Sequence, residues 1–303
     1  MLSHNNLIGN KMQERTAKEI IFTYPNIGTF HTSENRGSLN TRLISLENIN
    51  SQYKTNDFQI IEIPANFLKD GSMINPKTVN DYYSAELDDN ELKYILHTEP
   101  VENNKKQLKW YDPSWMNQFL KHIFSIIDFL GIEPYAIELH PGIFLEGQNN
   151  IKVFSEAINT LYSKFFEKYD KNVLIFIENR TKQYIASGDD LKEFWEVFST
   201  RYSQLMDHVG IILDIQQLYT NSKFFGDSFI DEFNKIPNNS LFGVHIHHNH
   251  GTPSIENDIP WKYVADTLDS KIKSDRPFHV LPEVQNPKQV EETYKFCKKV
   301  LKL

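Results

Sequence analysis

Residues 173–178 read VLIFIE, and residues 210–214 read GIILD. Both runs are apolar up to their last residue, which is a glutamate in the first run and an aspartate in the second. Strands that are apolar on both faces are typical of parallel sheets whose two faces are covered by other elements. The two runs therefore predict buried parallel strands, each of which ends in a carboxylate.

Six more short runs, rich in β-branched and aromatic residues, extend this pattern along the chain. They occupy residues 27–31, 58–63, 94–97, 136–140, 241–247 and 278–283. The eight starts are spaced by roughly 31 to 42 residues, about what one strand, one helix and two loops require. The chain is therefore predicted to be an α/β protein that folds as a (β/α)8 TIM barrel.

Helical patterns occupy the intervals between these runs. Apolar residues in Pro113–Leu130 recur with the period of a helix, and Gly131 follows as a stop signal. Residues 189–206 carry a similar apolar stripe. The last helix is predicted to begin after Asn286, a favourable N-cap, with Pro287 in its first position.

The sequence has no linker rich in glycine, serine or proline that would divide it. We therefore expect a single domain over residues 1–303, with residues 1–20 as a flexible N-terminal extension. The long segments 66–89 and 98–112 follow strands and are predicted to form walls of the catalytic face. The alternative, a doubly wound open sheet, requires a glycine-rich phosphate loop after the first strand, and HTSENRGS at 31–38 is not one.

Composition narrows the functional classes. A hydrophobic fraction of 40% and an aromatic fraction of 13% suffice for a large core, and a net charge of −8 argues against a nucleic acid as the main partner. Cys297 is the only cysteine, so an internal disulfide and a cysteine-based zinc site are excluded. No signal peptide or membrane span is recognisable, which predicts a cytoplasmic protein with no membrane partner.

Side chains that can bind a metal end six of the predicted strands. They are His97, His140, Glu178, Asp214, His245 or His247, and Glu283. In a closed barrel the carboxyl ends of the strands meet at one rim, so these residues are predicted to lie together. Carboxylates and imidazoles are a suitable ligand set for Mn²⁺, Mg²⁺, Co²⁺ or Zn²⁺.

Each residue has a structural explanation when it is considered alone. A carboxylate after a strand often caps the next helix, and a single histidine is more often a hydrogen-bonded structural residue. The recurrence at six strand ends favours a shared site. Within VHIHHNHG at 244–251, His245 and His247 share a strand face, so either can be the ligand, whereas His250 lies beyond the strand and is expected to face substrate or solvent.

At these residues the sequence resembles the xylose isomerase-like superfamily, which includes sugar isomerases, sugar epimerases and apurinic endonuclease IV. The resemblance spans nearly the whole chain. The segments that carry it are HTEP at 97–100, ELHPG at 138–142, FIENR at 176–180, ILDIQQL at 212–218, VHIHHNHG with NDIPW at 257–261, and LPEV at 281–284. In the isomerase branch it implies one metal ion, held by Glu178, Asp214, His247 (or His245) and Glu283.

The endonuclease branch of this superfamily binds three metal ions. His97 and His140 match two of its ligands. Two other positions depart from its pattern, because the histidine expected three residues after Asp214 is Gln217, and residues 251–258 lack an expected Asp-x-His pair. These departures favour the one-metal site over a three-metal phosphodiesterase that acts on abasic DNA.

The resemblance implies isomerisation or epimerisation of a sugar, sugar phosphate or other small polyol by proton abstraction next to a carbonyl. Glu178 and Glu283 would exchange the proton as well as bind the metal. The expected substrate contacts are His97, His140, Arg180, Gln217 and His250. Many relatives are dimers, so a homodimer is expected. A metal-dependent nuclease or hydrolase and a non-catalytic barrel are the alternatives.

Overall fold

The computed structural model describes residues 18–26, 39–65, 93–98, 101–102, 106–148 and 150–303. Eight parallel strands in these residues close into one barrel, in which each strand pairs with its neighbours in sequence and the last pairs with the first. The strands are β1 Ile20–Tyr24, β2 Phe58–Ala65, β3 Tyr94–Thr98, β4 Ala136–Leu139, β5 Leu174–Glu178, β6 Val209–Asp214, β7 Leu241–His245 and β8 Phe278–Leu281. The predicted (β/α)8 barrel is confirmed.

Eight α-helices within the described residues surround the barrel. They are α1 Leu39–Tyr53, α2 Pro113–Leu130, α3 Ile151–Tyr169, α4 Gly188–Arg201, α5 Ile215–Phe225, α6 Phe229–Lys235, α7 Trp261–Thr267 and α8 Pro287–Phe296. Two-residue strands, Val101–Glu102 and Lys106–Gln107, form a small antiparallel ribbon. None of the helices described is long and apolar enough to cross a membrane.

The helix boundaries follow local capping chemistry. Asp112 accepts hydrogen bonds from the first turn of α2, and Gly131, at φ 68°, ends that helix as predicted. Asn286 caps α8 through the N–H of Gln289, also as predicted. Helix α4 is shorter than the predicted 189–206, because the backbone of Tyr202 (φ −134°, ψ 46°) leaves the helical region and a separate 3-10 turn follows.

The prediction for the first strand was wrong. The barrel uses Ile20–Tyr24, which pairs with both β8 and β2, and not residues 27–31, which lie outside the described residues. Spacing could not separate the two runs, because a start at either position is compatible with one strand and one helix before β2. Residues 1–17 and the predicted wall at 66–89 also lie outside the described part, whereas Ile20, assigned to the extension, begins β1.

The barrel interior has two layers of different chemistry. Near the amino ends of the strands it is filled by apolar side chains, which are Ile21, Ile60, Ile95, Ala136, Phe176, Ile212 and Phe242. Two residues further along five of these strands, the inward positions are ionisable, and they are Glu62, His97, Glu138, Glu178 and Asp214. Because side chains alternate along a strand, one step of two residues leads from a packed core to a charged mouth.

Candidate functional site

Four predicted ligands come together at the carboxyl end of the barrel. Glu178, Asp214 and His245 are the last residues of β5, β6 and β7, and Glu283 lies two residues beyond β8. Each offers one ligand atom, and these atoms all lie within 4.8 Å of one another. The side chains of the first three residues are at most 1% exposed, and that of Glu283 is 14% exposed.

Three buried atoms in this group make no hydrogen bond. They are Glu178 Oε2, His245 Nδ1 and Glu283 Oε2. Their close neighbours are imidazole nitrogens and carboxylates, in contacts without hydrogen-bond geometry. Buried polar atoms in proteins nearly always have a hydrogen-bond partner, so a shared ligand would satisfy all three atoms. Three carboxylates and one imidazole are a donor set for a divalent cation such as Mn²⁺, Mg²⁺, Co²⁺ or Zn²⁺. The residues present therefore fit a metal ion.

Asp214 caps a helix and also faces the candidate metal site. Its Oδ1 accepts the N–H of Gln217 at 2.8 Å and so caps α5, whereas its Oδ2 faces His247 Nε2 at 3.2 Å. The side chain of Asn179 exchanges two hydrogen bonds with the backbone of Asp214, at 2.9 and 3.1 Å. One oxygen of Asp214 thus remains directed at the mouth while the residue is fixed to β5 and α5.

The two candidate histidines, His245 and His247, differ in the contacts of their ring nitrogens. His245 Nε2 lies 2.9 Å from Glu138 Oε1, and its Nδ1 lies 3.7 Å from Glu178 Oε1 and 3.6 Å from Glu283 Oε2. Because a carboxylate can only accept, Nε2 would keep its proton in a metal-bound ring, and Nδ1, which faces Glu178 and Glu283, would supply the lone pair for the metal ion. This arrangement favours His245 as the metal ligand.

The neutral form of His247 would have the opposite tautomer. Its Nδ1 accepts the backbone N–H of His250 at 3.0 Å, so the neutral ring carries its proton on Nε2. That Nε2 lies 3.2 Å from Asp214 Oδ2 and 3.1 Å from Glu283 Oε2. Left-handed conformations at Asn249 (φ 51°) and His250 (φ 55°) turn the chain back to make this contact. We infer that His247 donates to the ligand carboxylates.

His97 and His140 form a second group of possible ligands with Glu178. His140 Nδ1 lies 2.6 Å from the carbonyl oxygen of Thr98, and His97 Nδ1 lies 2.5 Å from Glu62 Oε1. Both acceptors keep a proton on Nδ1, so the two Nε2 atoms, 3.4 Å apart, face Glu178 Oε2 at 3.3 Å (His97) and 2.5 Å (His140). Without metal, a proton must lie in the short contact between an imidazole Nε2 and Glu178, and a cation bound by the same atoms would take its place.

Glu178 and Glu283 are ionised. Burial works to raise the pKa of Glu178, but His140 and His245 hold this pKa well below its usual value. His247 and His245 do the same for the pKa of Glu283, again against burial. Burial opposes protonation of His247, yet Asp214 and Glu283 raise its pKa to about 10. Without metal the mouth therefore neutralises its carboxylates with protonated imidazoles, and a bound cation would displace those protons.

The other predicted contacts differ in position. Arg180 donates to Glu178 Oε1 at 3.3 Å, and its side chain is 23% exposed at the rim. His250 is 41% exposed, with Nδ1 3.6 Å from Glu283 Oε1. Gln217 instead accepts the backbone N–H of Thr181 at 3.2 Å through its side-chain oxygen, so it holds the loop after β5.

Sequence reasoning missed two buried carboxylates beneath the rim. Glu62 on β2 is 5% exposed, and Glu138 on β4 is 1% exposed. For Glu138 the sequence does contain a signal. In ELH at 138–140, Glu138 lies two residues before His140, and residues two apart share a strand face. Both glutamates lie before the last residue of their runs, so a prediction based on strand ends excludes them.

The chain resembles known proteins in its fold but not detectably in its sequence families. No protein-family model matches the sequence, and no curated protein matches it. Several solved structures match the fold. A D-psicose 3-epimerase from Clostridium cellulolyticum H10, solved with D-tagatose, is 14% identical over 94% of this chain and 99% of its own, with a TM-score of 0.53.

Two metal-containing structures are similar to the same extent. The IOLI protein with a bound zinc atom is 12% identical over 93% of this chain and 98% of its own, with a TM-score of 0.54. A xylose isomerase-like TIM barrel protein from Mycobacterium smegmatis, in complex with magnesium, is 11% identical over 94% of this chain and 97% of its own, with a TM-score of 0.53. The chain thus has the fold of xylose isomerase-like TIM barrel proteins.

Proposed function

We propose that this protein is a metal-dependent isomerase or epimerase that moves a proton at the carbon next to the carbonyl of a small sugar, sugar phosphate or polyol. The observation that carries the proposal is the pair of ionised glutamates, Glu178 and Glu283, which belong to a cluster that fits a divalent ion and each have a buried oxygen that makes no hydrogen bond. The similar fold of a D-psicose 3-epimerase supports the same reaction class.

The ligands of the metal would be Glu178, Asp214, His245 and Glu283. A divalent ion bound there supplies a Lewis acid that stabilises negative charge on the substrate's carbonyl and hydroxyl oxygens. The protein fixes the ligands before substrate arrives, because Asp214 is tied to Asn179 and to α5, and His245 contacts Glu138.

The two glutamates are placed to exchange protons with substrate carbon. They belong to β5 and to the segment after β8, so they approach the mouth from strands that are separated by β6 and β7. Each is ionised and can act as a base. If one glutamate is ionised and the other holds a proton from solvent, removal of a proton by the first and donation by the second to the opposite face inverts a carbon, whereas transfer by a single glutamate between adjacent carbons isomerises the sugar.

Charged and polar groups at the rim would orient the substrate. The Arg180 guanidinium can bind hydroxyl, carboxylate or phosphate oxygens, and it remains charged because Glu178, Glu283 and Asp214 raise its pKa against the effect of burial. His250 also faces Glu283, and its ring is partly exposed at the rim. His97 and His140 lie beside Glu178 and would contact substrate oxygen atoms there.

The test is to assay Glu178→Gln and Glu283→Gln against a panel of keto and aldo sugars with Mn²⁺ or Co²⁺. We expect turnover to fall by about 10²–10⁴-fold in each variant, together with loss of deuterium exchange from solvent into the substrate carbon. Glu232→Gln is a matched control, because Glu232 is 3% exposed and pairs with Lys235 on α6. Full turnover in both mouth variants would contradict the assigned roles.

A second candidate is metal-dependent phosphodiester hydrolysis, and the His97, His140 and Glu178 group is the observation that favours it. Both imidazoles are held with Nε2 towards Glu178, as a second metal ion would require. Elemental analysis of protein purified without a histidine tag separates the candidates. Two or three metal ions per chain, with cleavage of abasic DNA and no sugar turnover, would favour hydrolysis.

A further inference from the structure

Glu138 has an unusual position for a carboxylate. It lies on β4 inside the barrel, is 1% exposed, and follows Ala136 of the apolar layer on the same strand face. Its Oε1 lies 2.9 Å from His245 Nε2 and 3.9 Å from His97 Nε2. Within the described part of the chain its ion-pair partners are these two imidazoles, with no lysine or arginine.

We propose that Glu138 is a positioning residue that orients His245 and thereby sets the metal affinity of the site. Glu138 Oε1 makes no hydrogen bond in the metal-free protein and lies 2.9 Å from His245 Nε2, so it is placed to accept the Nε2 proton once Nδ1, the nitrogen that faces Glu178 and Glu283, binds a metal ion. The inference rests on the metal centre of the proposed function, and it adds the group that prepares one ligand for that centre.

The argument follows from the two nitrogens of an imidazole. A neutral ring has one N–H and one lone pair, and only the lone pair can bind a metal. Two carboxylates face the Nδ1 of His245 at 3.6 and 3.7 Å, and this nitrogen has no hydrogen-bond partner. Without an acceptor at Nε2, the proton could occupy either nitrogen and the ring could rotate.

A carboxylate behind a ligand histidine also acts electrostatically. Its negative charge makes the metal-binding nitrogen more basic and limits rotation of the ring, and loss of such a partner typically costs about 10–100-fold in metal affinity. Two other imidazoles of the mouth have the same kind of support, since His140 has the Thr98 carbonyl and His97 has Glu62. Glu138 gives His245 the equivalent partner.

The test is titration of the metal-free protein with Mn²⁺ and with Zn²⁺ by calorimetry, comparing wild type with Glu138→Gln. We expect the dissociation constant of the metal to rise by about 10–100-fold in the variant. Glu232→Gln, which replaces an equally buried glutamate on α6, should bind metal as wild type does. Circular dichroism and melting temperature of the metal-free proteins report whether the fold is retained.

A second measurement does not depend on any variant. Nitrogen-15 NMR of the histidine rings in Zn²⁺-loaded wild type should show His245 bound through Nδ1 and protonated at Nε2. Binding through Nε2, or wild-type affinity in Glu138→Gln, overturns the inference. Wild type that binds no divalent ion overturns both this inference and the proposed function. Wild-type affinity in Glu138→Gln, combined with lost turnover in Glu178→Gln, overturns the inference alone.

Discussion

The two layers inside the barrel differ in what they contribute, although the same strands build both. On β5 the inward side chain is Phe176 in the lower layer and Glu178 in the upper layer, and on β6 the corresponding pair is Ile212 and Asp214. The lower layer is apolar and closely packed, so it should determine stability. The upper layer contains buried charges that cost stability unless they are paired or bind a ligand, so it should determine function.

The largest expected effect comes from opening the lower layer. Phe176 is fully buried and contacts the rings of Phe242 and His279. Phe176→Ala should cost about 3–5 kcal/mol of unfolding free energy, because it leaves a cavity in the barrel. Metal affinity, measured by calorimetry at a temperature where the variant is folded, should change little. Stability retained with metal binding lost would contradict this division between the layers.

A smaller effect is expected when metal fills the upper layer. A ligand that binds only the folded protein at about 100 times its dissociation constant adds about 2.7 kcal/mol of stability. Addition of Mn²⁺ should therefore raise the melting temperature of wild type, whereas Glu178→Gln should show a much smaller increase. An equal rise in both proteins would place the bound ion elsewhere, and the cluster around Glu178 would not be the metal centre.

The smallest expected effect is with pH in the metal-free protein. The pKa of His247 is raised from 6.5 to about 10, so its ion pairs stabilise the fold fully below pH 6.5 and this contribution is lost as pH rises towards 10. Raising the pH from 7 to 8 should cost about 1 kcal/mol of unfolding free energy. Melting temperatures should decline over this interval, less steeply in His247→Gln. A wild-type profile that is flat or rises would contradict the assigned ion pairs.

Much of the fold could be predicted from the sequence, because barrel strands are apolar and evenly spaced. Seven runs coincide with strands, give or take a few end residues. The first strand could not be located, since IIFTY at 20–24 and the run at 27–31 satisfy the same spacing and pattern. The pairing of Ile20 with Phe278 depends on closure of the barrel, which no local pattern reports.

The sequence was sufficient to predict which strand ends contribute residues to the candidate site. Glu178, Asp214 and Glu283 converge as the topology requires. The choice between His245 and His247 was not predictable, because both have the same strand parity and the difference arises from the turn at Asn249 and His250. Ligand roles, the single-domain assignment, the homodimer and the cytoplasmic location remain predictions.

The hydrogen bonds of Asn179 affect which metal ions the candidate site can bind. The pairing of β5 with β6 ends at Glu178 and Ile212. Beyond this point the side-chain amide of Asn179 accepts the N–H of Asp214 and donates to its carbonyl oxygen, so it continues the hydrogen bonding between the two strands. The spacing between the carboxylates of Glu178 and Asp214 is thus tied to the sheet itself. A metal site whose ligands cannot move apart selects ions by their radius. We therefore expect this site to bind smaller cations in preference to Ca²⁺, which needs six to eight oxygen ligands at longer distances.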